Sequence, residues 1–148
     1  MRFFLVAILA LVLPIPADPF VMDQMSSGSK PTTALLIELF TSEGCSSCPP
    51  ADRLLELLDG QSIQGVELIV LSEHVDYWNH IGWKDPYSSA FYSARQQTYA
   101  NRFRLDSVYT PQIVIDGTTE FVGSDSAAAD KAIGNALRLP KLRVNLSL

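Results

Sequence analysis

The feature that most constrains the fold of this chain is a cysteine pair placed between a strand pattern and a helix pattern. Residues 34–40 form an apolar run with the length of a buried strand, and Cys45-Ser46-Ser47-Cys48 follows it closely. A helix ending near Gly60 comes next, and its apolar face is marked by Leu54, Leu55, Leu57 and Leu58. A second apolar run over 66–71 predicts another buried strand, so this unit should be a right-handed crossover between parallel strands.

The rest of the chain continues the alternation of strands and helices. The expected elements are an aromatic loop over 74–86, a helix over 87–103, strands over 112–115 and 118–122 joined at Asp116-Gly117, and a helix over 126–137 capped by Ser124-Asp125. This order matches the thioredoxin arrangement, an α/β three-layer fold with a mixed central sheet and flanking helices. We therefore expect a thioredoxin-like domain over residues 32–138. Alternating apolar residues over 139–148 predict the start of an additional C-terminal strand.

Composition and charge narrow the classes of partner. The chain is 47% hydrophobic and 18% charged, which suits a globular core. A formal charge of −5 gives no basic field for a phosphate backbone, so neither nucleic acid nor an anionic membrane is expected as a partner. Only two cysteines occur, which excludes a disulfide-rich scaffold and a four-cysteine zinc site.

The first residues have the pattern of a secretory signal peptide. Arg2 precedes an unbroken apolar run over 3–13, prolines then break it, and Ala17 offers a small residue for cleavage. We therefore expect a signal peptide over 1–17, a flexible lead-in over 18–31, and a periplasmic or secreted protein with no membrane attachment after cleavage. The alternative is that the apolar run is an N-terminal core helix.

The cysteine spacing predicts a redox-active dithiol. A helix N-terminus carries unsatisfied N–H groups and a partial positive charge, which favour a thiolate over a thiol. We accordingly expect Cys45 to be the attacking thiolate and Cys48 the resolving thiol. A purely structural bridge would gain little, since the loop-entropy model gives a four-residue ring only about 2 kcal/mol. The alternatives are an inert buried pair and a passive staple.

Several long motifs resemble one protein family. They are T-S-E-G-C-S-S-C-P-P-A-D, H-V-D-Y-W-N-H-I-G-W-K-D-P, R-Q-Q-T-Y, Y-T-P-Q-I-V-I-D-G and E-F-V-G-S-D. On these motifs, residues 34–137 are similar to a secreted bacterial thioredoxin-like family catalogued as domain of unknown function 1223. The resemblance implies a thioredoxin-like architecture and assigns no activity.

The thioredoxin-like resemblance also implies roles for three residues. Thr110-Pro111 stands where such proteins have a cis bond beside the dithiol, and the Thr110 backbone could then pair with an extended substrate segment. The alternative is an ordinary trans proline at the start of a strand. Glu38 interrupts the first strand at the position of an acid that takes the proton of the resolving thiol, here Cys48. The alternative is that the strand simply exposes Glu38.

The aromatic loop begins at the carboxyl end of the second parallel strand, where α/β sites gather. His74, Asp76 and Trp78 are therefore candidates for substrate binding or for a proton relay beside the dithiol. The alternative is that the aromatic side chains cover a sheet edge and that His74 is hydrogen-bonded and inert.

These observations favour an exported thiol–disulfide oxidoreductase that acts on protein or small-molecule thiols and disulfides. No flavin or nicotinamide fingerprint is present, so we expect no cofactor, and a redox partner protein or a thiol pool must donate or accept electrons. One alternative is copper or zinc handling through Cys45, Cys48, His74 and His80. The other is a non-catalytic thioredoxin-like binding module that uses the aromatic loop as its contact surface.

Overall fold

The computed structural model describes residues 33–141 of the chain. Its elements are β1 (Thr33–Thr41), α1 (Pro49–Asp59), β2 (Val66–His74), a 3-10 turn (Asn79–Ile81), α2 (Ala90–Phe103), β3 (Gln112–Ile115), β4 (Thr119–Val122) and α3 (Ser126–Ala136). Their order agrees with the sequence prediction. The predicted hairpin is confirmed, since Asp116 and Gly117 both have positive φ, as its two-residue turn requires.

The four strands form one mixed sheet in the order β2-β1-β3-β4. β1 is parallel to β2 and antiparallel to β3, and β3 is antiparallel to β4. In this register the carboxyl end of β1 lies beside the carboxyl end of β2, with Thr41 opposite His74, and beside the beginning of β3. The loops that leave β1 and β2 and the loop that enters β3 therefore meet at one end of the sheet, where β1 and β2 terminate.

Helices cover both faces of the sheet, which gives the expected three layers. Alternate residues of β1 on one face pack against α1 and α3 in the main core, formed by Leu35, Ile37, Leu39, Ala51, Leu55, Leu58, Ile113, Ile115, Ala132, Ile133 and Ala136. On the other face Phe40 and Val114 pack with Tyr99 and Phe103 of α2. The α/β fold with a mixed central sheet and flanking helices is thus confirmed.

Two details of burial differ from the prediction. Leu57 was expected on the buried face of α1 but is 67% exposed, because the side of the helix that packs against the core carries Leu54, Leu55 and Leu58. β2 was expected to be buried, yet Ile69 and Leu71 are about 40% exposed. The reason is that β2 is an edge strand of the sheet formed by residues 33–141, and α2 covers that face only at the end where Glu73 lies.

Some sequence predictions fall on other parts of the chain. The signal peptide over 1–17 and the lead-in over 18–31 lie outside the described residues. Residues 139–141 follow α3 without regular structure, and residues 142–148, which carry most of the predicted C-terminal strand, are also outside the described residues. Within 33–141, no helix combines the length and apolar character needed to span a bilayer.

Candidate functional site

The cysteine pair lies in the turn between β1 and α1. Cys45 and Cys48 are joined by a disulfide, with Cα atoms 5.4 Å apart. Both cysteines are buried, at 2% and 0% exposure, whereas Ser46 and Ser47 between them are exposed. The sulfurs therefore lie directly beneath a surface turn. This turn is at the end of the sheet where the loops after β1 and β2 meet the loop before β3.

The start of α1 offers fewer backbone donors than a helix N-terminus usually does. Cys48 is the residue before the first helical position, so the pair lies directly before α1, as the sequence predicted. Pro49 and Pro50 have no N–H, and the N–H groups of Ala51 and Asp52 both donate to the carbonyl of Cys48. In the oxidised protein the first turn of α1 consequently has no free backbone N–H, and the stabilisation of a Cys45 anion by the helix N-terminus stays a prediction.

A side-chain hydroxyl lies beside Cys45 instead. Ser47 Oγ is 3.5 Å from Cys45 Sγ and also 3.5 Å from the carbonyl oxygen of Thr110. The Thr110–Pro111 bond is cis, as the resemblance implied. Ser47 thus connects Cys45 to the loop that enters β3.

Trp78 also lies among the loops that follow β1 and β2 and precede β3, which we call the loop cluster. Its indole Nε1 donates to Thr110 Oγ1 at 2.8 Å. Its Cβ lies so close to Gly44 that a Cβ on that glycine would be 3.2 Å away. Trp78 and Thr110, two of the five predicted substrate-binding residues, are therefore held next to the cysteine turn. Another of the five, Pro111, lies near the first turn of α1, because a Cβ on Gly123 would approach both Pro111 and Ala51.

Asp85 organises the loop cluster, and the sequence analysis missed it. Its carboxylate is buried and accepts hydrogen bonds from the backbone N–H of Glu43 at 2.9 Å, from Tyr87 N–H at 2.9 Å and from His74 Nδ1 at 2.6 Å. Burial alone would raise the pKa of Asp85, but the hydrogen bonds from Glu43, His74 and Tyr87 hold its pKa below the usual value. Since the ionised carboxylate can only accept, the proton of the shared bond resides on His74 Nδ1. The Asp-Pro turn at 85–86 is the local signal that could have indicated this residue.

His74 is therefore linked to the cysteine turn through Asp85 and the Glu43 backbone, not by direct contact with sulfur. Asp76 is placed elsewhere, since its backbone N–H and its carboxylate both bond to Ser93 of α2. The structure thus brings together Cys45, Cys48, Trp78, Thr110 and Pro111 and does not bring Asp76 to the same place.

Glu38 is also placed away from the dithiol. It is fully buried on the face of the sheet that α2 covers, whereas the helix that follows the cysteines packs on the other face. Arg95 Nε lies 2.5 Å from its Oε1, and the Tyr99 hydroxyl donates to its Oε2 at 2.6 Å. Both carboxylate oxygens are thus occupied by α2, and the structure does not position Glu38 to take the proton of Cys48.

A second buried acid, Glu73 of β2, belongs to the same cluster. Its Oε1 is 3.5 Å from Arg95 Nε, so the two carboxylates of Glu38 and Glu73 share one guanidinium. Burial, with a smaller contribution from the Glu38 charge, raises the pKa of Glu73 to about 7 even though Arg95 lowers it. This cluster ties α2 to the sheet and lies on the opposite face from the helix that follows the cysteines.

The metal-binding alternative finds no donor set in the described part of the chain. Between residues 33 and 141, no group of three or more His, Cys, Asp or Glu side chains lies close enough to hold a metal ion. The set proposed from sequence, Cys45, Cys48, His74 and His80, is therefore not assembled, and the two cysteines are bonded to each other.

Comparison with known proteins gives a family and one solved structure. The family described as "Protein of unknown function (DUF1223)" matches residues 36–148. A crystal structure of a protein from Agrobacterium tumefaciens is 35% identical to this chain with a TM-score of 0.63, and the match covers 74% of this chain and 48% of that one. The chain thus spans about half the length of that structure. No curated protein matches the chain.

Proposed function

The chain belongs to the DUF1223 family, and we propose that it is a thiol–disulfide oxidoreductase whose reactive pair is Cys45 and Cys48. The observation that carries the proposal is the position of this pair beneath a surface turn between β1 and α1, with the Ser47 hydroxyl within 3.5 Å of both Cys45 Sγ and the Thr110 carbonyl oxygen. A cysteine pair that closes a ring of only four residues adds little stability as a staple, so its placement at a loop cluster favours chemistry. Trp78 and Thr110 would border an extended substrate segment.

The reaction is thiol–disulfide exchange in two steps. The Cys45 thiolate attacks one sulfur of a substrate disulfide, forms a mixed disulfide and releases the other substrate sulfur as a thiolate. The Cys48 thiolate then attacks Cys45 Sγ, which forms the Cys45–Cys48 disulfide and releases the second substrate thiolate. The protein dithiol loses two electrons and two protons, and the substrate disulfide gains them. The reverse sequence oxidises a substrate dithiol, and the reduction potentials of the two partners decide the direction.

The proposal extends to partners and location. The substrates are protein or small-molecule thiols and disulfides, and a dithiol or disulfide partner protein returns the pair to its starting state. The signal-peptide pattern over 1–17 supports a periplasmic or secreted location, where dithiols meet an oxidising environment.

Turnover of insulin disulfides and of glutathione disulfide by the full chain, with dithiothreitol as the final reductant, tests the proposal. We expect turnover above the uncatalysed rate, its loss in Cys45→Ser, and accumulation of a mixed disulfide in Cys48→Ser. Ser46→Ala is the matched control, since it lies in the same turn and should retain activity. Absence of turnover with either substrate, and of oxidation of a reduced protein substrate by the disulfide form, would refute the oxidoreductase.

One observation favours a second candidate, a non-catalytic binding module. The two cysteines are almost fully buried, while the aromatic loop exposes Ile81 at 54% and Trp83 at 57%, and Tyr87 directly after the loop is 67% exposed. In that case the disulfide would stabilise the turn and the exposed side chains would form the contact surface. The same assays separate the two candidates, since a binding module gives no turnover and leaves its disulfide oxidised.

A further inference from the structure

The donor that would stabilise a Cys45 anion is missing from the place where a helix usually supplies it. Of the first four residues of α1, two are prolines without an N–H, and the N–H groups of Ala51 and Asp52 are bonded to the Cys48 carbonyl at 2.8 and 3.1 Å. The Cys48 N–H is likewise occupied by the carbonyl of Cys45. Asp52 also places a negative charge in this first turn. This charge offsets the partial positive charge of the helix N-terminus, which would otherwise stabilise a thiolate. A thiolate at Cys45 therefore needs a donor from outside the helix.

Ser47 is placed to be that donor. Its hydroxyl lies at the same distance, 3.5 Å, from Cys45 Sγ and from the Thr110 carbonyl oxygen. A disulfide sulfur is a weak acceptor and a peptide carbonyl is a strong one, so in the oxidised protein the hydroxyl donates to Thr110. A thiolate carries a full negative charge, and hydrogen bonds to charged groups are about twice as strong as those between neutral groups. Reduction of the disulfide thus changes which of the two acceptors is better.

We propose that Ser47 is a positioning residue for the dithiol. When the disulfide is reduced, its hydroxyl turns from the Thr110 carbonyl and donates a hydrogen bond to the Cys45 thiolate. This inference rests on the proposed function, because a thiolate forms only if the pair can be reduced. Reduction by dithiothreitol transfers two electrons to the disulfide and leaves the reductant as a cyclic disulfide. Of the two protons that the reductant releases, one protonates Cys48 and the other goes to solvent while Cys45 is ionised.

The chain contains its own control for this proposal. Ser46 is the preceding residue in the same exposed turn, but it makes no side-chain hydrogen bond within residues 33–141. Ser46→Ala and Ser47→Ala therefore remove the same atom from adjacent positions, and only the second should affect the sulfur. Ser47→Thr keeps the hydroxyl while Ser47→Val has the same shape without it, so this pair separates hydrogen bonding from packing even if the alanine variant is unstable.

The measurement is the pH dependence of Cys45 alkylation by iodoacetamide in the full chain reduced with dithiothreitol, with the modified cysteine identified by mass spectrometry. We expect Ser47→Ala and Ser47→Val to raise the pKa of Cys45 by about one unit, a tenfold loss of thiolate at pH values below the pKa. Ser46→Ala and Ser47→Thr should leave it near the wild-type value.

A Cys45 pKa that is equal in Ser47→Ala and Ser46→Ala, or equal in Ser47→Val and Ser47→Thr, would overturn the assignment. The readout is independent of turnover. A protein that shows the Ser47 effect without turnover of any disulfide would refute the oxidoreductase alone, and turnover without the Ser47 effect would refute this inference alone.

Discussion

Replacement of Glu73 by glutamine tests the buried charge cluster under α2. Glu73 is 4% exposed and its Oε2 has no hydrogen-bond partner among the described residues. Within residues 33–141 the only cation within 4 Å of it is Arg95, which lies closer to Glu38, at 2.5 Å against 3.5 Å. The charged form of Glu73 is therefore poorly compensated in the folded protein, and glutamine removes that charge at nearly constant shape.

The size and sign of the effect follow from the shift in pKa. Glu73 has a pKa of about 7 in the folded protein against an ordinary value of 4.5, so between these values the folded state binds more protons than the unfolded state. The stability contributed by this group is complete below the lower value and declines as the pH rises towards the folded pKa. At about 1.4 kcal/mol per pKa unit the full loss is about 3.5 kcal/mol, of which roughly 2.5 kcal/mol falls between pH 5 and pH 8.

The assay is urea unfolding of the oxidised protein at several pH values between 5 and 8. We expect the free energy of unfolding of Glu73→Gln to gain about 2.5 kcal/mol on the wild type as the pH rises across this range. Glu67→Gln is the matched control, since Glu67 lies on the same strand and the same face but is exposed. Equal pH profiles for Glu73→Gln and the wild type, or the same gain in Glu67→Gln, would refute the reasoning.

Two further predictions concern the loop cluster and its packing. Asp85→Asn should lower the free energy of unfolding at neutral pH by about 2–3 kcal/mol, because three donors lose a buried charged acceptor, while the exposed Asp106→Asn should have little effect in the same urea titration. Since the pKa of Asp85 is depressed, its stabilising contribution is present above the unfolded pKa and should disappear as the pH falls through the folded pKa. The free energies of unfolding of Asp85→Asn and Asp106→Asn should therefore become equal in acid. Gly123→Ala should cost about 1–3 kcal/mol, because its methyl group would lie 3.0 Å from two core side chains. Gly60→Ala, whose nearest neighbour is 3.7 Å away, should be neutral or stabilising, and equal losses in the two glycine variants would contradict the packing argument.

Much of the fold could be predicted because its signals are local. The hairpin depends on Asp116-Gly117, two residues that tolerate positive φ, and α3 begins where Asp125 caps it by accepting from the Ala128 N–H. α1 ends at Gly60 as expected. Burial was harder to predict, since the apolar run of β2 fits a central strand as well as an edge strand. Only the sheet order places β2 at the edge.

The candidate site was predicted in part, for a related reason. The cysteine spacing and the position of Thr110 identified residues that the structure brings together. Glu38 was assigned to the dithiol because the thioredoxin-like resemblance implies an acid on this strand, but the alternation of side chains along β1 directs it to the opposite face. The tie between Asp85 and the cysteine turn, through the Glu43 backbone, joins residues 42 positions apart and has no pattern in the sequence.

The sequence by itself determined the order of strands and helices, the hairpin, and a reactive-looking cysteine pair at the end of the first strand. These depend on periodicity, turn residues and spacing, which act over a few neighbouring positions. Only the tertiary structure decided which side chains form hydrogen bonds with the buried acid Glu38, and that the Ser47 hydroxyl lies between Cys45 and Thr110. The reason is that such contacts depend on strand order and register, which bring Arg95 to Glu38 across 57 residues and Thr110 to Ser47 across 63.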